Sequence, residues 1–451
     1  VVPALAALLP FCRDSPQYEA HQLAAFLATV ACTPLGSLET THYALRERLA
    51  THHVRVPHAA TLRSNMPLHP SFQQELAGTY NEAELNQATD IVFHSQVEAG
   101  RRLGFIKGAR SIAVLDGKPT PYYGRSYVYG NRPRRATKDM VPAARLAHPA
   151  FRAHKRSVGK VPYYRGTVNA LEFVQLTQYD LETQWNGTLG VRRVRKDGSL
   201  WASEAELLAD LEDAPAVLLH DREAGNEPAT RVLRQYCAKY GGHVMVALPQ
   251  LGKLRTLVPG AQVSLRAEIA GLWADRDACH PIAASDGQFS FWAMARRRWL
   301  SVGDHDHNVL VLYRTRPPKD ESEDIPDSGL VLEVGDQRLP VYAMPFYVTF
   351  DEEFMHQNAA SMDRFFSLRW SGENVNKRLE RHGARSPSRG MFMRHFTHAA
   401  SLMMANNWGL WRCHRERARR LRRWHPATSF QVYLDGLRED LLGLTWRPRV
   451  R

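Results

Sequence analysis

The chain has 451 residues, of which 44% are hydrophobic and 10% are aromatic. This composition excludes a disordered protein. A chain of this length is longer than one hydrophobic core usually supports, so we expect a catalytic domain with additional segments. Lysine and arginine number 59 against 46 aspartates and glutamates, and the resulting net charge of +13 favours a polyanionic partner. A basic enzyme whose charges are only solvated is the alternative.

Cysteine usage and the first residues bear on location. The five cysteines are far apart and include no C-x-x-C spacing, so neither a disulfide framework nor a zinc knuckle is predicted, and a cytoplasmic location is expected. The apolar run at 1–10 is too short to cross a bilayer and has no basic flank. We therefore expect neither a targeting segment nor a membrane partner.

The first half of the chain begins with predicted helices, because apolar residues recur at three-and-four spacing in 22–31 and in 83–103. Residues 111–116 then form a short apolar run that ends in Asp116, which is typical of a buried strand with a carboxylate at its C-terminal end. The next stretch, 124–165, is rich in Arg, Lys, Pro and Gly without a steady period, so we predict a long basic loop.

An alternation of strands and helices follows this loop. One of its strands ends in Asp221 and so repeats the pattern seen at Asp116. The alternation predicts an α/β core with a mixed or parallel sheet. Its elements are a strand at 167–179, a helix at 203–211, a strand at 216–221, a helix at 228–240 and a strand at 243–248.

The second half changes character twice. Residues 250–350 alternate apolar and polar side chains, for example at 308–314, and are predicted to be a β-rich insertion. Helical spacing returns at 362–382 and at 391–412, ahead of a strongly basic C-terminal region.

Three acids stand in local motifs. Asp116 opens Asp-Gly-Lys-Pro-Thr-Pro-Tyr-Tyr-Gly, Asp221 lies in His-Asp-Arg-Glu-Ala-Gly, and Glu373 closes Phe-x2-Arg-x3-Glu. One acid at a strand end means little, since most acids are caps, turn formers or surface charges. Three unrelated acids therefore remain the alternative to a shared site.

The motifs resemble those of bacterial cut-and-paste transposases of the DDE class and the insertion-sequence-4 type. Asp-Arg-Glu-Ala from Asp221 looks like the second-aspartate motif, and the stretch from Phe366 to Glu373 is similar to the Tyr-x2-Arg-x3-Glu signature with its Arg-Trp context. The first motif and residues 372–408 also resemble a halophilic-archaeal branch. The likeness covers about residues 111 to 412.

The resemblance implies an α/β fold with an RNase-H-like catalytic core. Asp116, Asp221 and Glu373 would be both the catalytic residues and the metal ligands for Mg²⁺, with Mn²⁺ as a substitute. Two divalent ions roughly 3.5 to 4 Å apart activate the attacking oxygen and stabilise the leaving one. The implied division is 1–110 as a helical DNA-binding region, 111–249 as the first part of the core, 250–350 as the insertion, 351–412 as the second part with the Glu helix, and 413–451 as the basic C-terminus.

The implied partner is double-stranded DNA, both element ends and target, bound by a homodimer in the nucleoid. Arg369 is expected to contact DNA phosphate beside the site, although a salt bridge on a helix face is the alternative. The remaining predicted DNA-binding residues are Lys377, Arg378, Arg381, Arg134, Arg135, Arg419 and Arg420.

The chain departs from the signature in two places. Phe366 replaces the tyrosine, and Glu380 stands where the family has a lysine. Two alternatives follow: a degenerate or domesticated transposase that only binds DNA, and a structure-selective nuclease of the same fold.

Other candidates have plainer interpretations. An indole of the insertion is suited to stacking on a flipped base, but Trp273, Trp292 and Trp299 are more simply core residues. The His-rich run 303–307 is more simply a polar turn than a metal site.

Overall fold

The computed structural model describes residues 2–32, 38–49, 56–71, 73–74, 80–106, 111–121, 159–163, 166–180, 183, 185–194, 200–209, 211, 215–220, 227–248, 265–285, 288–298, 306–315, 329–362, 390–420, 430, 433–437 and 441. The chain divides into two compact units. The first contains Val1–Gly108, Gly117–Leu207 and Glu373–Arg451, and the second contains Ala109–Asp116 and Leu208–Gly372.

The helices and strands are given in chain order. The α-helices are α1 (Val2–Leu8), α2 (Ala20–Ala31), α3 (Leu38–Leu49), α4 (Ala59–Ser64), α5 (Glu82–Arg102), α6 (Leu200–Ala209), α7 (Glu227–Tyr240), α8 (Leu265–Ala274), α9 (352–362) and α10 (Met391–Arg420). The strands are β1 (Ser111–Pro121), β2 (Gly159–Tyr163), β3 (Gly166–Asp180), β4 (Asn186–Val194), β5 (Val217–His220), β6 (His243–Ala247), β7 (His280–Ser285), β8 (Gln288–Arg298), β9 (Asp306–Thr315), β10 (Val331–Val334) and β11 (Gln337–Val348). Within the described ranges, no helix combines the length and the apolarity that crossing a membrane requires.

The first unit is built around two long helices and an antiparallel part of the sheet. Strand β3 pairs with β2 through its first residues and with β4 through its later ones. Helices α5 and α10 pack on β4 and on each other. The side chain of Asn81 accepts from the backbone N–H of Glu84 and caps α5, whose first turn is acidic and whose last turn carries Arg101 and Arg102, so the charges complement the helix dipole.

The second unit is a mixed sheet in the order β1-β5-β6-β11-β9-β8-β7, with β10 on β11. Strands β1, β5 and β6 run parallel, and β11, β9, β8 and β7 continue from β6 by antiparallel pairing. The predicted strands at 111–116, 216–221 and 243–248 are thus present. The predicted β-rich stretch is part of this same sheet.

Helix α9 covers one face of this sheet. Register pairing puts Ile112, Val217 and His243 on that face, where the ring of His243 lies 4.2 Å from that of Phe354 on α9.

Helices α7 and α8 cover the other face. The hydroxyl of Tyr313 donates to the backbone carbonyl of Ile269 in α8 at 2.8 Å, and the guanidinium of Arg234 in α7 lies 3.1 Å from Nδ1 of His307. Parallel strands buried on both faces read as continuous apolar runs, which explains why the sequence pattern predicts these strands.

Candidate active site

Asp116 lies where the buried part of β1 ends. Residues Ile112 to Leu115 are buried, whereas Asp116 is half-buried. The strand does not stop there, as the sequence pattern suggested, but continues to Pro121. The carboxylate is therefore held by regular backbone on both sides, which fixes its direction more firmly than a loop would.

Strand β5 lies beside β1 and ends level with Leu115. All of its residues, Val217 to His220, are buried, and His220 is the register partner of Leu115. Asp221 follows His220 directly in the sequence but lies outside the described residues. Because side chains alternate along a strand, Asp116 points to the face opposite Leu115 and His220.

The face that carries Asp116 is the one covered by α9. Ile112 shares that face, since it precedes Asp116 by an even number of residues, and Ile112 is in line with Val217 and His243. Burial lowers the pKa of His243, although the nearby Asp351 carboxylate raises it, so the ring is suited to packing as a neutral group. Helix α9 is the last described segment before 363–389, which contains the third acidic motif.

Most of the predicted site residues fall outside the described part of the chain. Among the described residues, no group of three or more His, Cys, Asp or Glu side chains is arranged to hold a metal ion. Arg419 and Arg420 belong to the last turn of α10, and their side chains are not described. The predicted residues outside the described ranges are Asp221, Glu373, Arg369, Lys377, Arg378, Arg381, Arg134 and Arg135.

The tryptophan and histidine candidates belong to the core of the second unit. Trp273 and Trp292 are buried, and Trp292 packs against the ring of His280 at 4.4 Å. His307 is buried on β9 beside the guanidinium of Arg234. The two tryptophans serve packing, as the simpler interpretation predicted, whereas residues 306 and 307 belong to β9 and not to the predicted polar turn. Trp299 and residues 303–305 lie outside the described ranges.

Comparison with known proteins gives distant structural similarities. No protein-family model matches the chain, and a search of curated proteins finds no match. The chain is similar to the piggyBac transposase in a synaptic complex with hairpin DNA, with a TM-score of 0.46 and 9% identity over 94% of this chain and 70% of that one. It is also similar to the NurA nuclease from Sulfolobus solfataricus, with a TM-score of 0.25 and 9% identity over 76% of this chain and 96% of that one. At these values neither similarity indicates a reaction or a ligand for this chain.

One feature of the first unit has no distinctive sequence signal. Arg101 and Arg102 end α5, and arginines in the last turn of a helix are ordinarily interpreted as complements to its dipole. Only the packing of α5 beside α10 relates them to the arginines of the C-terminal region.

Proposed function

We propose that the chain is a DDE-class DNA transposase of the insertion-sequence-4 type, with Asp116, Asp221 and Glu373 as its catalytic carboxylates. The observation that carries the proposal is the register pairing of Leu115 with His220. Each of these residues directly precedes a motif aspartate, and consecutive Cα atoms are about 3.8 Å apart. Two carboxylates that leave adjacent parallel strands at one level are suited to share a divalent ion.

The strand pattern supports an RNase-H-like core. In the first unit β3 is the neighbour of β1 and pairs with β4, and in the second unit β1 pairs with β5 and β5 with β6. The strand that carries the first aspartate thus has a neighbouring strand on each side. Helix α9, on the face of Asp116, leads in sequence towards Glu373.

Mg²⁺ suits this set of ligands, since three carboxylates supply the hard oxygen atoms that it prefers. Asp116 fits the role because it is half-buried and lies at the end of four buried strand residues. When bound, Mg²⁺ activates the attacking oxygen and offsets charge on the phosphate. The rigid strand holds the Asp116 carboxylate in one direction, so little reorganisation is needed during the reaction.

The proposed substrate is the inverted-repeat DNA at the ends of the element, bound by a homodimer in the nucleoid of the cytoplasm. Cleavage at the ends would be followed by joining of the 3′ ends to target DNA. Residues 1–110 are proposed to bind DNA, together with Arg369, Lys377, Arg378, Arg381, Arg134, Arg135, Arg419 and Arg420. The net charge of +13 supports a polyanionic partner.

The test is cleavage and strand transfer with a labelled element end in Mg²⁺ or Mn²⁺. We expect wild type to cut and join, and Asp116→Asn to lose at least about 100-fold in both steps, the scale of losing one preorganised charge-stabilising group. Asp336→Asn, which makes the same change in the exposed turn between β10 and β11, should keep full activity.

Each other outcome assigns a different function. Equal cutting by wild type and Asp116→Asn would show that the carboxylate assignment is wrong. Cutting of branched DNA without strand transfer would indicate a structure-selective nuclease. Binding without cutting would indicate the degenerate transposase, which the departures at Phe366 and Glu380 make the natural second candidate.

A further inference from the structure

Helices α5 and α10 run side by side in the same direction. The amide of Gln96 donates to the backbone carbonyl of Met403 at 3.0 Å and to Oδ1 of Asn407 at 2.9 Å. One turn further along α5, a Cβ added to Gly100 would lie 3.2 Å from Cδ2 of Leu410. Since a step of four residues on α5 matches a similar step on α10, the C-terminal end of α5 lies level with about residues 411–415 of α10.

This common level carries four arginines, which we name the α5–α10 basic end: Arg101, Arg102, Arg412 and Arg415. Arg102 and Arg415 are exposed, and Arg101 and Arg412 are half-buried. From this level α10 extends further, to Arg420. Between 412 and 423 the sequence has seven arginines and one glutamate.

The positive charge of these arginines exceeds what is needed to complement the dipole at the C-terminal end of α5. A helix C-terminus carries roughly half a negative elementary charge. Its last carbonyls already accept backbone bonds, from the N–H of Leu103 to Ala99 at 3.0 Å and from the N–H of Gly104 to Arg101 at 2.8 Å. Arg102 and Arg415, the two exposed arginines at this level, therefore add positive charge beyond what the helix end requires, and an anionic partner would neutralise it.

Two indole rings hold the arginines of α10 in place. The guanidinium carbon of Arg412 lies 5.2 Å from the ring centre of Trp408, and that of Arg415 lies 4.9 Å from Trp411. Trp411 is itself fixed against Tyr433, with ring centres 5.4 Å apart. A guanidinium that stacks on an indole is less free to move, so binding a phosphate costs it less conformational entropy.

We propose that the α5–α10 basic end binds the sugar-phosphate backbone of duplex DNA. This inference rests on the proposed function and adds a binding surface to it that joins the N-terminal region to the C-terminal one. Phosphate contacts position a protein on DNA and carry no sequence information, so the surface would serve element ends and target alike.

The test measures binding of the full chain to a labelled duplex over a series of salt concentrations. In the double variant Arg102→Gln, Arg415→Gln, the plot of log affinity against log salt should become shallower by about 2, since each arginine that no longer neutralises a phosphate lowers the slope by about one. Arg276→Gln removes an exposed arginine of the second unit that likewise stacks on an indole, Trp273 at 4.1 Å, and should match wild type. Arg102→Lys with Arg415→Lys keeps both charges and should retain most of the wild-type slope.

A double variant with wild-type affinity and slope would overturn the proposal, and so would an effect seen only with an RNA duplex. The two proposals fail separately. If wild type cuts DNA and the double variant binds DNA normally, only this surface is rejected. If wild type never cuts DNA but the double variant binds DNA more weakly than wild type does, only the transposase reaction is rejected.

Discussion

Leu115 of β1 and His220 of β5 are register partners on adjacent parallel strands, and each is followed in sequence by an aspartate. The same alternation that buries Leu115 and His220 on one face sends Asp116 to the other. If Asp221 continues the register, the two carboxylates would be placed to hold one divalent ion. This leads to a prediction that does not depend on enzymatic activity.

Ferrous iron with peroxide and ascorbate should cut the backbone near residues 116 and 221, because Fe²⁺ binds oxygen ligands and generates radicals beside its ligands. Fragments are identified by mass spectrometry. Excess Mg²⁺ should suppress both cuts, and Asp116→Asn should reduce both together. A cut near 116 that persists unchanged in Asp221→Asn would mean that the two carboxylates do not share an ion.

Part of this fold could be predicted because local sequence dominates there. Strands β1, β5 and β6 are buried on both faces and read as apolar runs, and α5 shows its helical period from end to end. The apolar run of β1 correctly predicted that Asp116 lies on a strand. Asp116 is also the described part of the predicted catalytic set.

Other parts depend on pairing that no local pattern reveals. Strand β2 lies in the stretch predicted as a basic loop, and it contains Lys160 and Pro162, both poor strand formers. It forms by pairing with β3, and a proline is tolerated where a strand has a free edge. Residues Gly117 to Pro121 lie beyond the apolar run that was predicted to end at Asp116, yet they extend β1.

The ion pair between Arg193 and Glu82 should be worth far more to stability than an exposed pair. Their two charge-assisted bonds are 3.0 and 2.7 Å long, with side chains only 10% and 9% exposed. Arg193→Met leaves a buried carboxylate without this partner and should lower the free energy of unfolding by about 3 to 5 kcal/mol. Urea denaturation measures the loss.

The matched control is Arg338→Met, whose pair with Glu333 is 74% exposed on both sides and should contribute less than about 1 kcal/mol. The double variant Glu82→Leu, Arg193→Met should recover much of the loss, since two apolar groups replace two charges. A single variant as stable as wild type would contradict the prediction.

Gly187 should not tolerate even a methyl group. A Cβ there would lie 2.2 Å from the ring of Trp185, which is fully buried and has no room to move. Gly187→Ala should therefore destabilise the fold by about 1 to 3 kcal/mol or more through overpacking. The control is Gly436→Ala, whose new methyl group meets open space within a helical segment and should be neutral or stabilising by up to about 1 kcal/mol. Thermal unfolding measures both variants, and equal effects of the two changes would contradict this account.

His395 should make the stability of the first unit depend on pH. The hydroxyl of Tyr80 lies 2.9 Å from its Nδ1, and the ring is fully buried beside Phe173. Burial lowers the pKa of His395 to about 4; Arg193 and Arg192 also lower this pKa, and Glu82 opposes them. The neutral ring is thus the form that the folded core accepts.

The imidazole of His395 binds a proton near pH 6.5 in the unfolded chain but only near pH 4 in the folded chain. The stability that the neutral ring contributes is therefore complete above pH 6.5 and is lost as the pH falls towards 4. Between pH 8 and pH 5 the loss from this group should be about 2 kcal/mol. His395→Gln keeps an acceptor for Tyr80 but has no proton to gain, so urea unfolding of this variant should show a smaller decline over the same interval. Parallel pH profiles for wild type and His395→Gln would mean that His395 is not the group that titrates, whereas a difference confined to pH below 6.5 is the expected signature.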